Sequence, residues 1–182
     1  MEIQRAIEQR HSIRSFQEKK VPKEVLLQLV RAAQQAPSAS NLQAWRFLFV
    51  TEDRLRQKVD FFSPGLSGKP PVILVICSDM EKAIRKGGEN SKIYGCMMDA
   101  SMAAENLMLA ALEYGLGTCA VKSYNDAAIR KILQIPEGYR IEVLISIGYP
   151  AGFVTFWGLR LYFMRFQCYN NTITQNSRSW AA

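Results

Sequence analysis

The sequence predicts one domain in which helices and strands share a single core. A length of 182 residues suits one domain with a sizeable core. Residues 22–35 space their apolar side chains as an amphipathic helix does, whereas residues 72–77 form a continuous apolar run that is typical of a strand covered on both faces. No repeat and no domain boundary is visible in the sequence, so we predict a single domain over residues 1–182.

The first half of the chain alternates helix and strand signals. Pro22 suits the first turn of the helix at residues 22–35, whose apolar face consists of Val25, Leu26, Leu29, Ala32 and Ala33. Further helices are predicted at residues 1–9 and 52–61. A strand is predicted at residues 46–51, where aromatic and β-branched side chains are frequent.

The middle of the chain holds its longest apolar segment. Residues 93–114 carry Met and Leu all around a helix, which predicts a helix buried on most sides by the core or by a dimer interface. Asp99, Glu105 and Asn106 argue against a membrane span, because each would be costly in lipid. Before this helix, the Gly- and Pro-rich residues 63–71 predict a mobile loop, and the charged residues at 81–90 predict a loop or a frayed helix.

The glycines after this helix fit the dinucleotide-binding pattern G-x-G-x-x-A at residues 115–120. That motif requires a strand before it and a helix after it. Here a helix precedes the pattern and ends at Gly115, and a short strand is predicted at residues 118–121. We therefore reject a dinucleotide-binding loop at this position.

The last predicted elements are a helix at residues 126–133, capped by Asn125 or Ser123, and a strand at residues 141–147. Residues 151–182 are aromatic and basic but too few to form a core of their own. We expect them to pack on the body of the protein or on another subunit.

The composition favours an anionic partner. The net charge is +7 and the pI about 9.4, which suits a phosphorylated cofactor, a nucleic acid or a membrane surface. The basic residues are scattered, so a nucleic-acid-binding tail is not indicated. No signal peptide is recognised, and the four cysteines lack metal-ligand spacing: Cys77, Cys96, Cys119 and Cys168. We expect reduced thiols and a cytoplasmic location.

A single histidine, His11, restricts the chemistry. A multi-histidine metal site is impossible, no CxxC pair is present, and a Ser-His-Asp or Cys-His arrangement would have to use this one residue. If the chain is an enzyme, we expect a bound cofactor to supply the reactive atoms.

Residues 10–16 concentrate groups that bind anions. Arg10 and Arg14 offer guanidinium groups, and Ser12 and Ser15 offer hydroxyls. Arginine grips phosphate oxygens in pairs, and hydroxyls with free N–H groups complete a phosphate cradle. Judged on these residues alone, a solvated basic turn is the commoner explanation.

Five segments, in this order, resemble the FMN-dependent nitroreductase family in its shorter-chain branch. They are Arg-His-Ser-Ile-Arg at residues 10–14, Pro-Ser-Ala-Ser-Asn-Leu-Gln-Ala-Trp at 37–45, Ala-Glu-Asn-Leu at 104–107, Gly-Leu-Gly-Thr at 115–118 and Ile-Gly-Tyr-Pro-Ala at 147–151. No single segment is decisive, but the ordered set is specific. The resemblance makes phosphate binding the favoured function of residues 10–16.

The resemblance implies an α+β fold with a mixed, mostly antiparallel central sheet flanked by helices. Two chains would form an intertwined homodimer with the long central helix at the interface and two FMN molecules between the subunits. Arg10, Ser12 and Arg14 would hold the FMN phosphate, and His11 would contribute backbone.

Two further segments would reach the flavin. Pro37, Ser38, Ser40 and Asn41 would approach the flavin held mainly by the other subunit, although loop and helix-cap chemistry explains these residues equally well. The resemblance also places a second set of residues along the isoalloxazine, where a backbone N–H donates to flavin N5: Val121, Lys122 and Ser123. Lys122 either favours the reduced flavin or is a solvated surface lysine.

The resemblance also implies an enzyme with ping-pong kinetics. NADH or NADPH would pass hydride to flavin N5 and leave, and a small electron-poor acceptor such as a nitroaromatic or a quinone would then be reduced in the same place. No catalytic side chain and no metal is required, and no nucleic acid or membrane partner is expected.

The C-terminal segment departs from the family pattern. The family carries a Pro-rich, basic segment there, with a late Lys or Arg that reaches the phosphate. Arg160 or Arg165 is the candidate for this role, and Arg160 is included among the predicted cofactor-binding residues.

Three alternatives stay open. A related flavin branch performs dehydrogenation, dehalogenation or oxygen-dependent flavin cleavage, but usually carries a substrate lid for which residues 63–71 are short. A non-catalytic FMN-binding protein would bind flavin without turnover. A basic nucleic-acid-binding module is disfavoured, because the aromatic residues lie mostly in apolar strands rather than among Lys and Arg.

Overall fold

The computed structural model of the chain describes residues 2–151, which contain helices and one sheet. The helices are α1 (Ile3–Gln9), α2 (Lys23–Gln34), α3 (Asp53–Phe61), α4 (Met80–Asn90), α5 (Cys96–Ala111) and α6 (Asp126–Leu133). The strands are β1 (Trp45–Val50), β2 (Val72–Asp79), β3 (Gly117–Val121) and β4 (Tyr139–Gly148). The predicted α+β class is confirmed.

The four strands form one antiparallel sheet in the order β1-β2-β4-β3. The predicted mixed character is limited to one parallel bridge, between Ser12 and Thr118, outside the named strands. β2 is an inner strand, and its first seven residues are all buried. This burial explains why its sequence is apolar without alternation.

Two helical layers cover the sheet. Leu74 and Ile76 of β2 face one layer, in which Leu29 of α2 and Leu107 of α5 are fully buried. Alternate β2 residues, Ile73, Val75 and Cys77, face the other layer, which contains Val59 of α3 and Ile129 of α6. The apolar side chains buried between each layer and the sheet stabilise the packing of the helices on the sheet.

The central helix α5 is less completely buried than its sequence predicted. Its inner face is made largely of small residues, which allow close approach to α2 and the sheet: Ala100, Ala103, Ala104 and Ala111. Met97, Met98 and Met102 are 48%, 60% and 36% exposed. Among the described residues, the core therefore covers the inner side of α5, and a face with three methionines is exposed. The predicted burial by the core is confirmed on that inner side, and burial of the methionine face by a dimer interface stays a prediction.

Residues 80–90 form a helix, which is the second of the two alternatives that the sequence left open for residues 81–90. The Asp79 side chain caps α4 by accepting a hydrogen bond from the Lys82 backbone N–H at 2.9 Å. Ala83 anchors the helix in a small apolar cluster with Leu42. Gly88, with a φ of 69°, kinks the end of α4, and a π-helical turn at Ser91–Gly95 leads directly into α5.

The predicted helix boundaries around β3 are confirmed. Gly115 adopts a left-handed φ of 66° and ends the helical segment, and β3 follows, so the order of elements is the reverse of a dinucleotide-binding loop. Asn125 is the cap of α6, where its side chain accepts from the Ala128 N–H at 3.0 Å. Within residues 2–151, no helix combines the length and apolarity needed to cross a membrane.

Candidate functional site

The N-terminal basic segment lies along β3. The Ile13 N–H donates to the Thr118 carbonyl at 2.9 Å, next to the bridge between Ser12 and Thr118. A Cβ at Gly117 would lie 2.5 Å from Cγ1 of Ile13, so glycine is required for this close approach. Further along, the Gln17 N–H donates to the carbonyl of Tyr149 at 2.8 Å. Three distant motifs, at residues 10–14, 115–118 and 147–151, therefore meet at one edge of the sheet.

A cavity of about 350 Å³ opens beside this edge. Its described walls are Arg14, Pro64, Gly65, Ser67 and residues 119–123. These wall residues include two cations and two hydroxyls but no carboxylate. β3 is the last strand of the sheet, so half of its backbone polar groups face away from β4. The cavity thus combines positive charge with hydrogen-bonding backbone.

Residues 63–71 form the second wall of the cavity. The Gly65 N–H donates to the Ser123 carbonyl at 3.2 Å, and a Cβ at Gly65 would lie 2.6 Å from Oγ of Ser123. A Cβ at Gly68 would overlap the carbonyl oxygen of Arg14. Glycine at position 65 lets the loop approach the end of β3, and glycine at position 68 lets it approach the basic segment, so the loop closes one side of the cavity.

Arg10 is oriented by α5. Its Nε lies 3.2 Å from Oε1 of Glu105, with the Arg10 and Glu105 side chains 30% and 48% exposed. Because the contact is made through Nε, it orients the guanidinium plane while, within residues 2–151, both terminal nitrogens stay available for another partner. His11 is exposed, and its Nδ1 lies 2.7 Å from the carbonyl of Gln9. The imidazole therefore interacts with its own segment.

Lys122 is held by β4 rather than surrounded by solvent. Its Nζ donates to the Glu142 carbonyl at 2.7 Å and to the hydroxyl of Tyr124 at 3.1 Å. Opposite β2, the register shifts so that Glu142 has no Cα partner between Ile141 and Val143. The two carbonyls that Nζ of Lys122 contacts, those of Ile141 and Glu142, lie at this β-bulge. The ammonium group of Lys122 therefore donates hydrogen bonds to backbone carbonyls at the rim of the cavity.

The Ser38 loop, residues 37–44, is a second polar cluster. It contains a 3₁₀ turn at Ala39–Asn41, and Ser40, Asn41 and Gln43 have left-handed φ values of 50°, 51° and 49°. The Ser38 Oγ accepts from the Gln43 N–H at 3.1 Å. Oδ1 of Asp99, in α5, accepts from the Ala39 N–H at 3.0 Å. The loop is thus attached to the first half of α5.

The predicted site residues fall into two groups. Arg14, Val121, Lys122 and Ser123 line the cavity, and Ser12 lies beside it on β3. Arg10 and His11 belong to the same basic segment as Arg14 but are not among the described cavity walls. The other group lies on the Ser38 loop, outside the described cavity walls: Pro37, Ser38, Ser40 and Asn41. The α5 residues that hold the two groups, Asp99 and Glu105, are six positions apart, about 9 Å along the helix axis. Arg160 lies outside the described residues.

Sequence reasoning missed several residues of this region. Pro64, Gly65 and Ser67 form a cavity wall, and the only available signal was the Gly- and Pro-rich composition of their loop. Asp99 was noted as polar in an apolar helix, but its contact with Ala39 was not foreseen. Trp45, the last residue of the motif at 37–45, is a core residue with 6% exposure.

The family model described as "Nitroreductase family" matches residues 7–64 and 61–149, which include both polar groups. The chain belongs to the nitroreductase family. The resemblance inferred from the five motifs is confirmed, and with it the expectation that the chain is an oxidoreductase of the nitroreductase type.

Similar proteins support this placement in the nitroreductase family. The chain is 31% identical to a putative NADH dehydrogenase/NAD(P)H nitroreductase of Methanothermobacter thermautotrophicus, over 83% of this chain and 78% of the relative. It is 27% identical to an iodotyrosine deiodinase of Thermotoga neapolitana, over 78% of this chain and 84% of the relative. A solved FMN-dependent nitroreductase of Clostridium difficile superposes with a TM-score of 0.70 and 30% identity, over 81% and 87% of the two chains.

Proposed function

We propose that this chain is an FMN-dependent oxidoreductase that takes electrons from NADH or NADPH and passes them to small electron-poor acceptors such as nitroaromatics or quinones. The observation that carries the proposal is the cavity between Arg14, residues 63–71 and β3, which has cationic and hydroxyl walls. The names of the similar nitroreductases support the choice of cofactor and reductant.

The residues around the cavity fit FMN. Arg14 offers a fork for phosphate oxygens, and the exposed Ser12 and Ser15 lie on the same segment. At Gly65, the missing Cβ allows residues 63–71 to pack directly on Ser123, which joins two walls of the cavity. We infer that Arg10, Ser12 and Arg14 hold the phosphate with the backbone of His11. We also infer that the residues at the end of β3 lie along the isoalloxazine ring of FMN: Val121, Lys122 and Ser123.

Bound FMN would supply the acceptance and donation of hydride, which no side chain of this protein can provide. The chain's own residues bind and orient the group. The outer edge of β3 offers backbone hydrogen bonds in fixed positions, and fixed dipoles stabilise developing charge without reorganisation. Lys122 contributes by holding the end of β3 on β4, since its Nζ donates to the Glu142 carbonyl.

A second copy of the chain completes the proposed site. The Ser38 loop lies outside the cavity walls of its own chain, and the exposed face of α5 carries Met97, Met98 and Met102. We infer a homodimer in which these methionines are buried and the Ser38 loop of one subunit approaches the FMN of its partner. We also infer a cytoplasmic location for this dimer.

The visible absorbance spectrum of the purified protein tests the proposal. After incubation with FMN and dialysis, we expect a retained flavin that bleaches anaerobically with NADH or NADPH and recovers its colour on addition of a nitroaromatic or a quinone. Arg14→Ala should weaken retention, whereas Arg54→Ala, which removes an exposed arginine of α3 outside the cavity walls, should not.

The outcomes of this experiment separate the alternatives. A colourless protein overturns the proposal. Flavin that is retained but not bleached by either nicotinamide indicates a non-catalytic FMN-binding protein. Bleaching followed by reoxidation with a halogenated phenol, but with no nitroaromatic or quinone, indicates the dehalogenase branch, to which the Thermotoga relative belongs by name.

A further inference from the structure

Asp99 is a buried carboxylate whose presence the stability of the fold does not explain. It lies in the first turn of α5 with 3% exposure. Oδ1 accepts from the Ala39 N–H at 3.0 Å, whereas Oδ2 is buried without a hydrogen-bond partner within residues 2–151. Burial of a carboxylate with one partner disfavours the folded state. A buried carboxylate with a single hydrogen-bond partner is therefore a candidate for a functional role.

The contact partner of Asp99 lies at the start of a strained turn. Ser40, Asn41 and Gln43 all have left-handed φ although none is glycine. Such conformations persist where the surrounding contacts hold them in place, and they concentrate at functional sites. The first half of the Ser38 loop therefore needs an anchor outside the loop.

The two halves of the Ser38 loop have different anchors. Leu42 and Ala44 are buried in one apolar cluster with Ala83 and Cys96, and this cluster holds the second half. Nζ of Lys82 donates to the carbonyl of Gln43 at 3.0 Å, also in the second half. Ala39, Ser40 and Asn41 are exposed. Within residues 2–151, the hydrogen bond that attaches this exposed half to another element is the one from the Ala39 N–H to Asp99.

The helix α5 also contacts the chain just before the loop. Nδ2 of Asn106 donates to the carbonyl of Ala32, in the last turn of α2, at 3.4 Å. Asn106 follows Asp99 by seven residues, so both side chains lie on one face of α5. This face of α5 therefore contacts α2, just before the Ser38 loop, and the loop itself. The proposed function places that loop at the flavin of the partner subunit.

We propose that Asp99 is a positioning residue, whose Oδ1 fixes the Ala39 N–H and so holds Ser38, Ser40 and Asn41 in the arrangement that reaches FMN. This inference rests on the proposed function, because it assigns the loop to a flavin site. The role belongs to the acceptor oxygen. An asparagine at position 99 should therefore support it, whereas an alanine should not.

Two variants remove the same hydrogen bond from opposite sides. Asp99→Ala removes the acceptor, and Ala39→Pro removes the donor without altering α5. Proline suits position 39, because it is the first residue of the 3₁₀ turn and Ser38 before it is extended, with φ −142° and ψ 149°. Asp99→Asn is the conservative control. Leu107→Ala is the control for general destabilisation, because Leu107 is fully buried in α5 within a different cluster.

The first measurement is amide hydrogen exchange of residues 40–44 in the apoprotein. We expect faster exchange there in Asp99→Ala and Ala39→Pro, and wild-type exchange in Asp99→Asn. In Leu107→Ala, protection should fall throughout the core rather than selectively in the loop. Unchanged loop exchange in both bond-removing variants overturns the inference. This result does not depend on flavin, so it is separate from the fate of the proposed function.

The second measurement is FMN affinity and turnover of the reconstituted protein. Loss of the hydrogen bond between Asp99 and Ala39 should weaken FMN binding or raise KM by about tenfold. The double variant Asp99→Ala with Ala39→Pro should be no worse than either single variant. Additive losses, or a loss in Asp99→Asn equal to that in Asp99→Ala, overturn the positioning role. If wild type fails to bind FMN, the proposed function fails, and the exchange data still decide whether Asp99 holds the loop.

Discussion

The guanidinium of Arg10 meets the carboxylate of Glu105 through its Nε, at 3.2 Å. The N-terminal basic segment is thereby tied to the central helix, and the direction of the Arg10 fork is set before any anion arrives. Both side chains are partly exposed, so the ion pair itself contributes little stability, about 0.2–1 kcal/mol. Its effect is on orientation, which yields the first prediction.

Replacing Arg10 with Ala should weaken FMN binding strongly, because each charge-assisted hydrogen bond to phosphate contributes about 1.5–3 kcal/mol. Replacing Glu105 with Gln should weaken it only a few-fold, since the guanidinium remains and loses only its orienting partner. Flavin fluorescence titrations of both variants check this. Equal affinities of wild type and Arg10→Ala would remove Arg10 from the proposed phosphate site.

The second prediction concerns the packing of residues 63–71 on the basic segment. Gly68 and Gly115 both have positive φ, 74° and 66°, but only a Cβ at Gly68 would overlap the Arg14 carbonyl, whereas Gly115 has open space around it. We expect Gly115→Ala to lower the free energy of unfolding by about 1–2 kcal/mol. Gly68→Ala should lower it further.

Gly68→Ala should also weaken FMN binding, because Arg14 would be displaced, whereas Gly115→Ala should leave the affinity unchanged. Urea unfolding and FMN titration of the two variants provide the comparison. If Gly68→Ala behaves like Gly115→Ala in both measurements, the loop does not pack on Arg14 as described.

The third prediction concerns pH. Burial raises the pKa of the Asp99 carboxyl above its usual value, and the Ala39 N–H offsets part of that rise. The folded state therefore holds this proton more tightly than the unfolded state does, so Asp99 lowers stability as the pH rises from about 4 through its folded pKa.

The comparison that isolates this effect is the difference in unfolding free energy between wild type and Asp99→Asn, measured from pH 3.5 to pH 7. We expect wild type to lose stability relative to Asp99→Asn as the pH rises, with the difference then constant. A difference that does not change with pH, or that changes in the opposite direction, would contradict a raised pKa.

The fourth prediction concerns the thiol of Cys77. Burial raises its pKa to about 11, and the positive charge of Arg130 offsets only part of this effect. At pH 8 about one thiol in a thousand would be ionised, and the thiolate is the reactive form. We expect iodoacetamide to leave Cys77 unmodified in the folded protein and to modify it in guanidinium chloride, as located by peptide mass spectrometry. Rapid modification in the folded state would show that β2 is accessible.

The fifth prediction tests the role of Lys122. Its ammonium donates to the Glu142 carbonyl at 2.7 Å, so Lys122→Met should lower the unfolding free energy by about 1 kcal/mol through loss of that bond. FMN affinity should change much less than in Arg14→Ala. A loss of flavin comparable to that of Arg14→Ala, without loss of stability, would instead show direct contact of the ammonium with the cofactor.

The sequence predicted the strands of the sheet and most of the helices, because their signals are local. The apolar run of β2, the cap at Asn125 and the glycine at position 115 each act within a few residues of themselves. For α4 the sequence left a loop and a frayed helix as alternatives, because the capping aspartate and the one buried alanine of this helix do not stand out among charged neighbours.

The site could be predicted only in part, for a related reason. The five motifs indicated which segments belong together, but no local signal shows that Gly65 and Gly68 bring residues 63–71 against Ser123 and Arg14. The carbonyl of Glu142 that Lys122 contacts belongs to a β-bulge, which exists only once β2 and β4 are paired. Contacts of this kind are properties of the assembled sheet.

The pairing of Ser12 with Thr118 has a consequence for the solubility of the chain. β3 is an outer strand, and an outer strand with free backbone groups is a template for pairing with other chains. The N-terminal basic segment, residues 10–16, covers this outer edge of β3, because the Ile13 N–H donates to the Thr118 carbonyl. The contact leaves fewer free backbone groups for pairing with another chain. Deletion of residues 10–16 is therefore expected to promote aggregation as well as to remove the proposed phosphate site.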